Sequence, residues 1–339
     1  MKNPVDLNGI DFIEYASPST EKLKALFSRL GFEEVAHHRS KAVSLFQQGQ
    51  CRFVINSETG HFSEEFFKLH GPGVCALGFR VNDAKQAQEW ALQQGAKAPG
   101  GEGHSFPAIY GVGGSLIYFV DKDSHFQENF QFIKTPSVSS ALLFVDHLTH
   151  NVSQGDMEVW CDFYERIFNF TERRYFDIKG AQTGLVSKVM RSPCNTITIP
   201  INEPAPNELG EKSQIQEFLN EYKGAGIQHI ALNTRDIISV VSDLRKKEMR
   251  FLDVPDTYYE ELKNRIPLVK EDIGQLRENQ ILADGDAEGY LLQIFTQNAI
   301  GPVFYEIIQR EGHEGFGEGN FQALFDAIER DQMKRGYLK

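Results

Sequence analysis

Cysteine is scarce and scattered in this 339-residue chain: Cys51, Cys75, Cys161 and Cys194 form no CxxC pair. That spacing speaks against a disulfide framework and against a thiolate metal site. Basic blocks are missing too, and 35 Lys+Arg stand against 47 Asp+Glu, a net charge of −12. Proteins that grip nucleic acid or anionic membranes neutralise phosphates with clustered Lys and Arg, so neither partner is expected. No apolar run approaches the length that spans a bilayer. The opening MKNPVDLNGIDF lacks the basic-then-apolar pattern of a secretory leader. A soluble cytoplasmic protein is the expectation. Tryptophan is rare, with two residues, whereas phenylalanine is abundant at 26.

At about 150 residues per domain, this length predicts two domains or three. The stretch KTPSVSS (134–140) reads as a linker, with Pro, Ser and Thr and no apolar period. It separates residues 1–133 from 141–339, and the two parts look related. GIDFIEYASPSTEKLKALFSRLGFEEV and LLFVDHLTHNVSQGDMEVWCDFYERIFNFTERR each give a short apolar strand, a polar turn and an amphipathic helix. GVCALGFRVNDAKQAQEWALQQGAKA and GIQHIALNTRDIISVVSDLRKKEMRFL repeat that layout, and strand-like runs with Gly/Asn/Asp turns follow each helix. The reading is an α+β protein of four βαβββ modules, paired into two domains. Two additions are confined to the second part: PNELGEKSQIQEFLNEYKGA, and the C-terminal GFGEGNFQALFDAIERDQMKRGYLK. Additions to one copy of a duplication mark that copy as the working one.

Matched positions of the repeats differ in chemistry. His147 stands where the first module has Phe12, His229 where the second has Ala76, and Glu306 where SLIYFVDK offers Tyr118 or Phe119. Each comes from a different strand of the second half. Strand alternation puts His229 on a face with Ile227 and Ala231, and Glu306 with Phe304 and Ile308. A carboxylate on such an apolar face is costly unless paired, hydrogen-bonded or bound to metal. Two imidazoles and one carboxylate with open positions form the ligand set of non-haem Fe(II) oxygenases. Taken singly, a strand His is more often a hydrogen-bonded core residue, and a strand Glu usually faces solvent. The absence of all three from the other half favours the metal reading. His147 and His150, three apart, face opposite ways and do not pair as ligands. DGDAEG (284–289) lacks the closing Glu of a calcium loop and reads as a hairpin turn. Gly315, Gly317 and Gly319 lack the strand and the Lys-Ser/Thr ending of a phosphate loop.

The runs SQIQEFLNEYKGAGIQHIALNTRDI, FLDVPDTYYEEL, GYLLQIFT, PVFYEIIQR and GFGEGNFQALFDAIE closely resemble the 4-hydroxyphenylpyruvate dioxygenase family. The likeness is dense from about Leu142 onward and rests mainly on layout before the linker. It implies two vicinal-oxygen-chelate domains, each an open β-barrel of paired βαβββ modules, plus a C-terminal helix. It also implies Fe(II) held by His147, His229 and Glu306. The implied substrate contacts are Ser187, Asn202, Gln214, Gln228, Gln293, Phe295, Phe304, Phe316, Asn320 and Phe321. Leu324 and Phe325 would lie on a closing helix, although their stripe with Phe321 and Ile328 also suits plain core packing.

The implied reaction takes 4-hydroxyphenylpyruvate and O2 to homogentisate and CO2 in tyrosine and phenylalanine catabolism, in a homo-oligomer. Phe295 and Phe316 would hold the ring, and Ser187, Asn202, Gln214 and Gln228 would meet the phenol or the keto acid. Without the resemblance, strand-end Asn and Gln read first as turn caps. Two rival readings stand beside this one. A hydroxymandelate synthase would use the same substrate and iron but hydroxylate the side chain. A metal-free small-molecule-binding protein of the same fold would need neither.

Overall fold

The computed structural model describes residues 2–339 except 101–103, 105, 122–123, 136–139, 180–183, 206–212, 261, 321–332, 334–335 and 337–339. The strands of the first half are β1 (Ile10–Ala16), β2 (Glu33–His38), β3 (Val43–Gln48), β4 (Cys51–Asn56), β5 (Gly73–Arg80), β6 (Ala108–Tyr110), β7 (Leu116–Val120) and β8 (Phe130–Phe132). They form one curled sheet in the order β6-β7-β5-β1-β4-β3-β2-β8. Those of the second half are β9 (Val145–Asn151), β10 (Thr171–Lys179), β11 (Gly184–Arg191), β12 (Thr198–Pro204), β13 (Gly226–Asn233), β14 (Leu282–Gly285), β15 (Tyr290–Phe295) and β16 (Phe304–Glu311). Their order is β10-β11-β12-β9-β13-β16-β15-β14. Since β10 and β14 remain unjoined edges, the curl is an open barrel.

The two sheets share a plan. In each, the opening strand runs parallel to the fourth strand of its own module (β1/β4, β9/β12) and antiparallel to the next module's first strand (β1/β5, β9/β13). The third and fourth modules each show strand, helix and three strands. The second departs from this layout among the described residues. Only β6 and β7 follow its helix in the sheet, and β8, reached through helix Ser124–Asn129, pairs instead with β2 at the far edge. That pairing covers the edge of β2 and buries Phe130.

Local chemistry sets the helix starts. The matched residues Asp83 and Asp236 accept hydrogen bonds from the N–H groups of Gln86 and Ser239, opening helices Ala84–Gln93 and Ile237–Lys246. Ser213 does the same for helix Gln214–Tyr222, which falls within the longer insertion of the second half. Helix Met157–Phe168 buries Met157, Cys161, Tyr164, Ile167 and Phe168 on one stripe. Among the described residues, no helix is long and apolar enough to cross a membrane.

Candidate metal centre and substrate cavity

Three neighbouring strands of the second sheet build the site. Alternation along β9 turns His147 and Thr149 to the concave face and sends His150 the other way. There His150 meets the Tyr164 hydroxyl at 2.9 Å, and burial lowers its pKa to about 3. His150 is thus a neutral core histidine. On β16 the same period brings Phe304 and Glu306 inward. β13 breaks the rule: Ile227 is opposite His150 and His229 opposite Thr149, which leaves Gln228 as an extra residue in a β-bulge. Gln228 and His229, adjacent in sequence, therefore both line the cavity. Ile227, expected on the face of His229, shares the opposite face with His150. Ala231, opposite His147, keeps the side expected of it.

The side chains of His147, His229 and Glu306 converge so that one ligand atom from each lies within 4.8 Å of the others. Among the described residues this is the one such grouping of three or more His, Cys, Asp or Glu. His147 Nε2 and His229 Nε2 lie 3.1 and 3.5 Å from Glu306 Oε2. Thr149 Oγ1 stands 2.9 Å from His229 Nε2, and the Phe304 ring stacks on the His229 imidazole at 4.8 Å. Burial would raise the Glu306 carboxyl, but the facing imidazoles outweigh it and hold the group below its usual range. Burial opposes charge on His147 as well, yet Glu306 and Asp146 keep its pKa up at about 9. His229, with desolvation dominant, is pushed down and kept neutral.

Glu306 Oε1 and His229 Nδ1 are buried without a hydrogen-bond partner. An unmet buried polar atom costs about 1–3 kcal/mol, more if charged. Two imidazoles and a carboxylate facing one point, with a carboxylate oxygen unmet, suit a divalent transition metal.

A second bulge, at Asp146 on β9, sets the support of His147. Asp146 Oδ1 accepts from His147 Nδ1 at 2.9 Å, which turns Nε2 to the site and leaves it as the nitrogen that would ligate once it gives up its proton. Arg310 grips the same carboxylate with Nε and Nη2, both at 2.8 Å. Burial would raise Asp146, but these donors hold it well below the carboxylate range. Arg310 Nη1 also donates to the carbonyls of His313 and Gly315 at 3.0 and 2.6 Å. Its guanidinium lies 5.5 Å from the Phe316 ring, whose edge meets the His147 ring at 5.4 Å.

The cavity, about 70 Å³, is lined by Ser187, Asn202, Gln214, Gln228, Phe295, Phe304 and Phe316 together with the three convergent groups. Gln293 and Asn320 are not among its lining residues. Gln293 shares the face of Phe295 two residues along β15, fully buried with both amide atoms unpaired. It presses on Gly317, where φ is +80° and a Cβ would collide with the amide. Asn320 accepts from the Tyr258 hydroxyl beside β14. Phe321, Leu324 and Phe325 lie outside the described residues.

The N-terminal domain of hydroxyphenylpyruvate dioxygenase matches residues 1–133, and the glyoxalase/bleomycin resistance protein/dioxygenase superfamily matches residues 145–278. A 4-hydroxyphenylpyruvate dioxygenase of Legionella pneumophila (strain Corby) is 51% identical over 99% of this chain and 98% of its own length. The chain belongs to the 4-hydroxyphenylpyruvate dioxygenase family. The Pseudomonas aeruginosa protein of that name is 49% identical over 99% of this chain and 97% of its own. A solved structure of a 4-hydroxymandelate synthase mutant from Streptomyces coelicolor superposes with a TM-score of 0.84 at 25% identity, covering 96% of this chain and 99% of that one.

Within this family member the structure adds Thr149, Phe176, Ile178, Leu185, Val189 and Pro200 to the cavity wall. Alternation from His147 already points to Thr149, and pairing of Phe176 with Ser187 explains its place. Arg310 carries no such signal, because its partner Asp146 is 164 residues away.

Proposed function

We propose that this chain is an Fe(II)-dependent dioxygenase converting 4-hydroxyphenylpyruvate and O2 to homogentisate and CO2, a cytoplasmic step of tyrosine breakdown. The observation that carries the reading is the convergence of two histidines and a glutamate on an aromatic-lined cavity, in a chain about half identical to dioxygenases of that name. His147, His229 and Glu306 would hold the iron. When bound, that ion supplies the redox and Lewis-acid chemistry of the reaction.

The rest is the work of this chain's own residues. Asp146 keeps the His147 proton on Nδ1, and Phe304 fixes the plane of the His229 ring. Phe295 and Phe316 would flank the substrate ring and exclude water. Ser187, Asn202, Gln214 and Gln228 would meet the phenol hydroxyl or the keto-acid oxygens. Such buried polar groups reject an analogue that leaves them unpaired. Gln293, with its unmet amide, would join them through water or substrate, and Asn320, Phe321, Leu324 and Phe325 would belong to a C-terminal closing segment. Residues 1–133 would form the metal-free domain, joined by the linker at 134–140 to the catalytic one.

Anaerobic loading with Fe(II), followed by 4-hydroxyphenylpyruvate and O2, tests the proposal. Homogentisate and CO2 in equal amounts are expected, and no O2 uptake would refute it. The likeness to a hydroxymandelate synthase makes product identity, by chromatography and mass, the deciding readout between side-chain and ring hydroxylation. Unchanged metal content and ligand binding in His229→Ala would point instead to a metal-free binding protein.

A further inference from the structure

The first sheet encloses a cavity of its own, about 210 Å³, against about 70 Å³ in the second. The strand registers align the two interiors. Phe12 is opposite Gly78 and Gly78 opposite Tyr118, as His147 is opposite Ala231 and Ala231 opposite Glu306. Glu14 is opposite Ala76 as Thr149 is opposite His229. Phe12, Ala76 and Tyr118 thus occupy the places of the three convergent groups, and they offer no ligand set for a metal.

What these positions build is an aromatic chamber. The Phe12 ring lies 5.9 Å from Phe106, 6.0 Å from Tyr118 and 5.9 Å from Phe126. These side chains belong to an apolar cluster separate from the main core. The cavity rim is polar, with His38, Lys41, Glu58, His61 and His125 among its lining, and two polar groups stand against the rings themselves. Glu14 is 7% exposed and Tyr118 5%, and both line the cavity. Glu14 Oε1 accepts from Asn56 Nδ2 at 2.9 Å and faces Cys75 Sγ at 3.7 Å. Among the described residues, Glu14 Oε2 takes no hydrogen bond, and neither does the Tyr118 hydroxyl. Burial raises the pKa of both groups, and the charge of Glu14 adds to the rise at Tyr118. These two oxygens, without a protein partner and open to the cavity, are placed to meet a polar group of whatever enters it.

We propose that the first barrel binds a small single-ring phenol, its hydroxyl donating to Glu14 Oε2 and accepting from the Tyr118 hydroxyl, its ring held among Phe12, Phe106 and Phe126. A phenol hydroxyl donates and accepts at once, which this pair of oxygens requires. An ammonium only donates, a carboxylate only accepts, and a plain hydrocarbon leaves both oxygens unmet. The site is independent of the iron chemistry in the other barrel.

Methyl NMR on the full chain tests this with three probes: 4-methylphenol, toluene and 4-methylbenzoate. Val43 and Val54 report the first cavity, and Leu185 and Val189 the second. With 4-methylphenol, saturable shifts are expected at Val43 and Val54. Tyr118→Phe should weaken this binding roughly three- to tenfold, the worth of one neutral hydrogen bond. Glu14→Leu should weaken it further and reverse the preference towards toluene. No shift at Val43 and Val54, or toluene or 4-methylbenzoate binding the unaltered protein as tightly as 4-methylphenol, would overturn the proposal. The three-probe comparison decides the matter even where a variant fails to fold.

Discussion

At the scale of single residues, two buried carboxylates show how surroundings divide the roles of one chemical group. Asp146 is satisfied on every side by His147 and Arg310, and its charge is stabilised there. On the proposed reading its work is to orient a metal ligand. Asp146→Asn keeps the shape but loses the charge that fixes both partners. Metal affinity should fall about 10- to 100-fold, as is usual when such a supporting partner is lost, with an unchanged circular dichroism spectrum. Metal titration showing native affinity would refute the role.

Glu14 is the opposite case, a carboxyl whose pKa burial raises. The folded state then binds its proton more tightly than the unfolded chain does. Its contribution is harmless below the ordinary Glu range and becomes destabilising as pH rises through the raised folded value. Glu14→Gln should therefore melt higher than the parent at neutral pH, and the gap should close on acidification. A pH-independent gap in melting temperature would contradict this.

Elements carry the next level of control, and the bulges matter most. A strict period of two puts one of Gln228 and His229 out of the cavity, and the bulge on β13 brings both in. The second bulge sets Asp146 beside its neighbour His147. Comparing the repeats from sequence is enough to single out His147, His229 and Glu306, which the structure brings together, because matched strands occupy matched registers. Those registers also resolve the counterpart of Glu306 as Tyr118 rather than Phe119. Bulges left no such trace, since they arise from the pairing of two strands and not from the composition of one. For the same reason alternation alone misplaces Ile227, and β8 pairs with a strand of another module.

Arg310 ties β16 to the turn that presents Phe316, through the carbonyls of His313 and Gly315. Arg310→Lys keeps the charge but cannot hold Asp146 in a fork and both carbonyls together. Turnover should drop roughly 10²-fold, the cost of a misplacement near 1 Å, and limited proteolysis should quicken between residues 312 and 320. Unchanged turnover and cleavage would sink the idea. Deletion from Gly315 onward removes Phe316 and the contacts of Gly317 and Asn320 altogether. It should abolish turnover while leaving much of the β structure, and near-normal activity would exclude closure by this segment.

For the whole molecule, the duplication does not produce two independent bodies. One hydrophobic cluster runs through both halves, taking in Phe27 and Phe53 as well as Tyr164 and Tyr305. Polar contacts cross the same boundary. The Tyr305 hydroxyl donates to that of Tyr15 at 3.0 Å, and Trp90 Nε1 donates to the Ile167 carbonyl at 2.8 Å. His70 stacks on Tyr222 at 4.7 Å and reaches the carbonyls of Tyr222 and Gly113 through its two ring nitrogens. Tyr222 in turn covers Gly73 and Gly226, the matched first residues of β5 and β13, where a side chain would collide with its ring.

A core shared in this way should unfold as a unit. The two tryptophans allow a direct check, because Trp90 lies on the helix of the second module and Trp160 on that of the third. In Trp160→Phe, fluorescence comes from Trp90, on the first half where it meets the second, and in Trp90→Phe from Trp160 in the second. Each variant should show a single thermal transition whose fluorescence and far-ultraviolet midpoints coincide, although Trp90→Phe, lacking its bond to Ile167, should melt lower overall. Fluorescence and circular dichroism midpoints more than about 4 °C apart within either variant would mean that the halves unfold separately and that the shared core does not couple them.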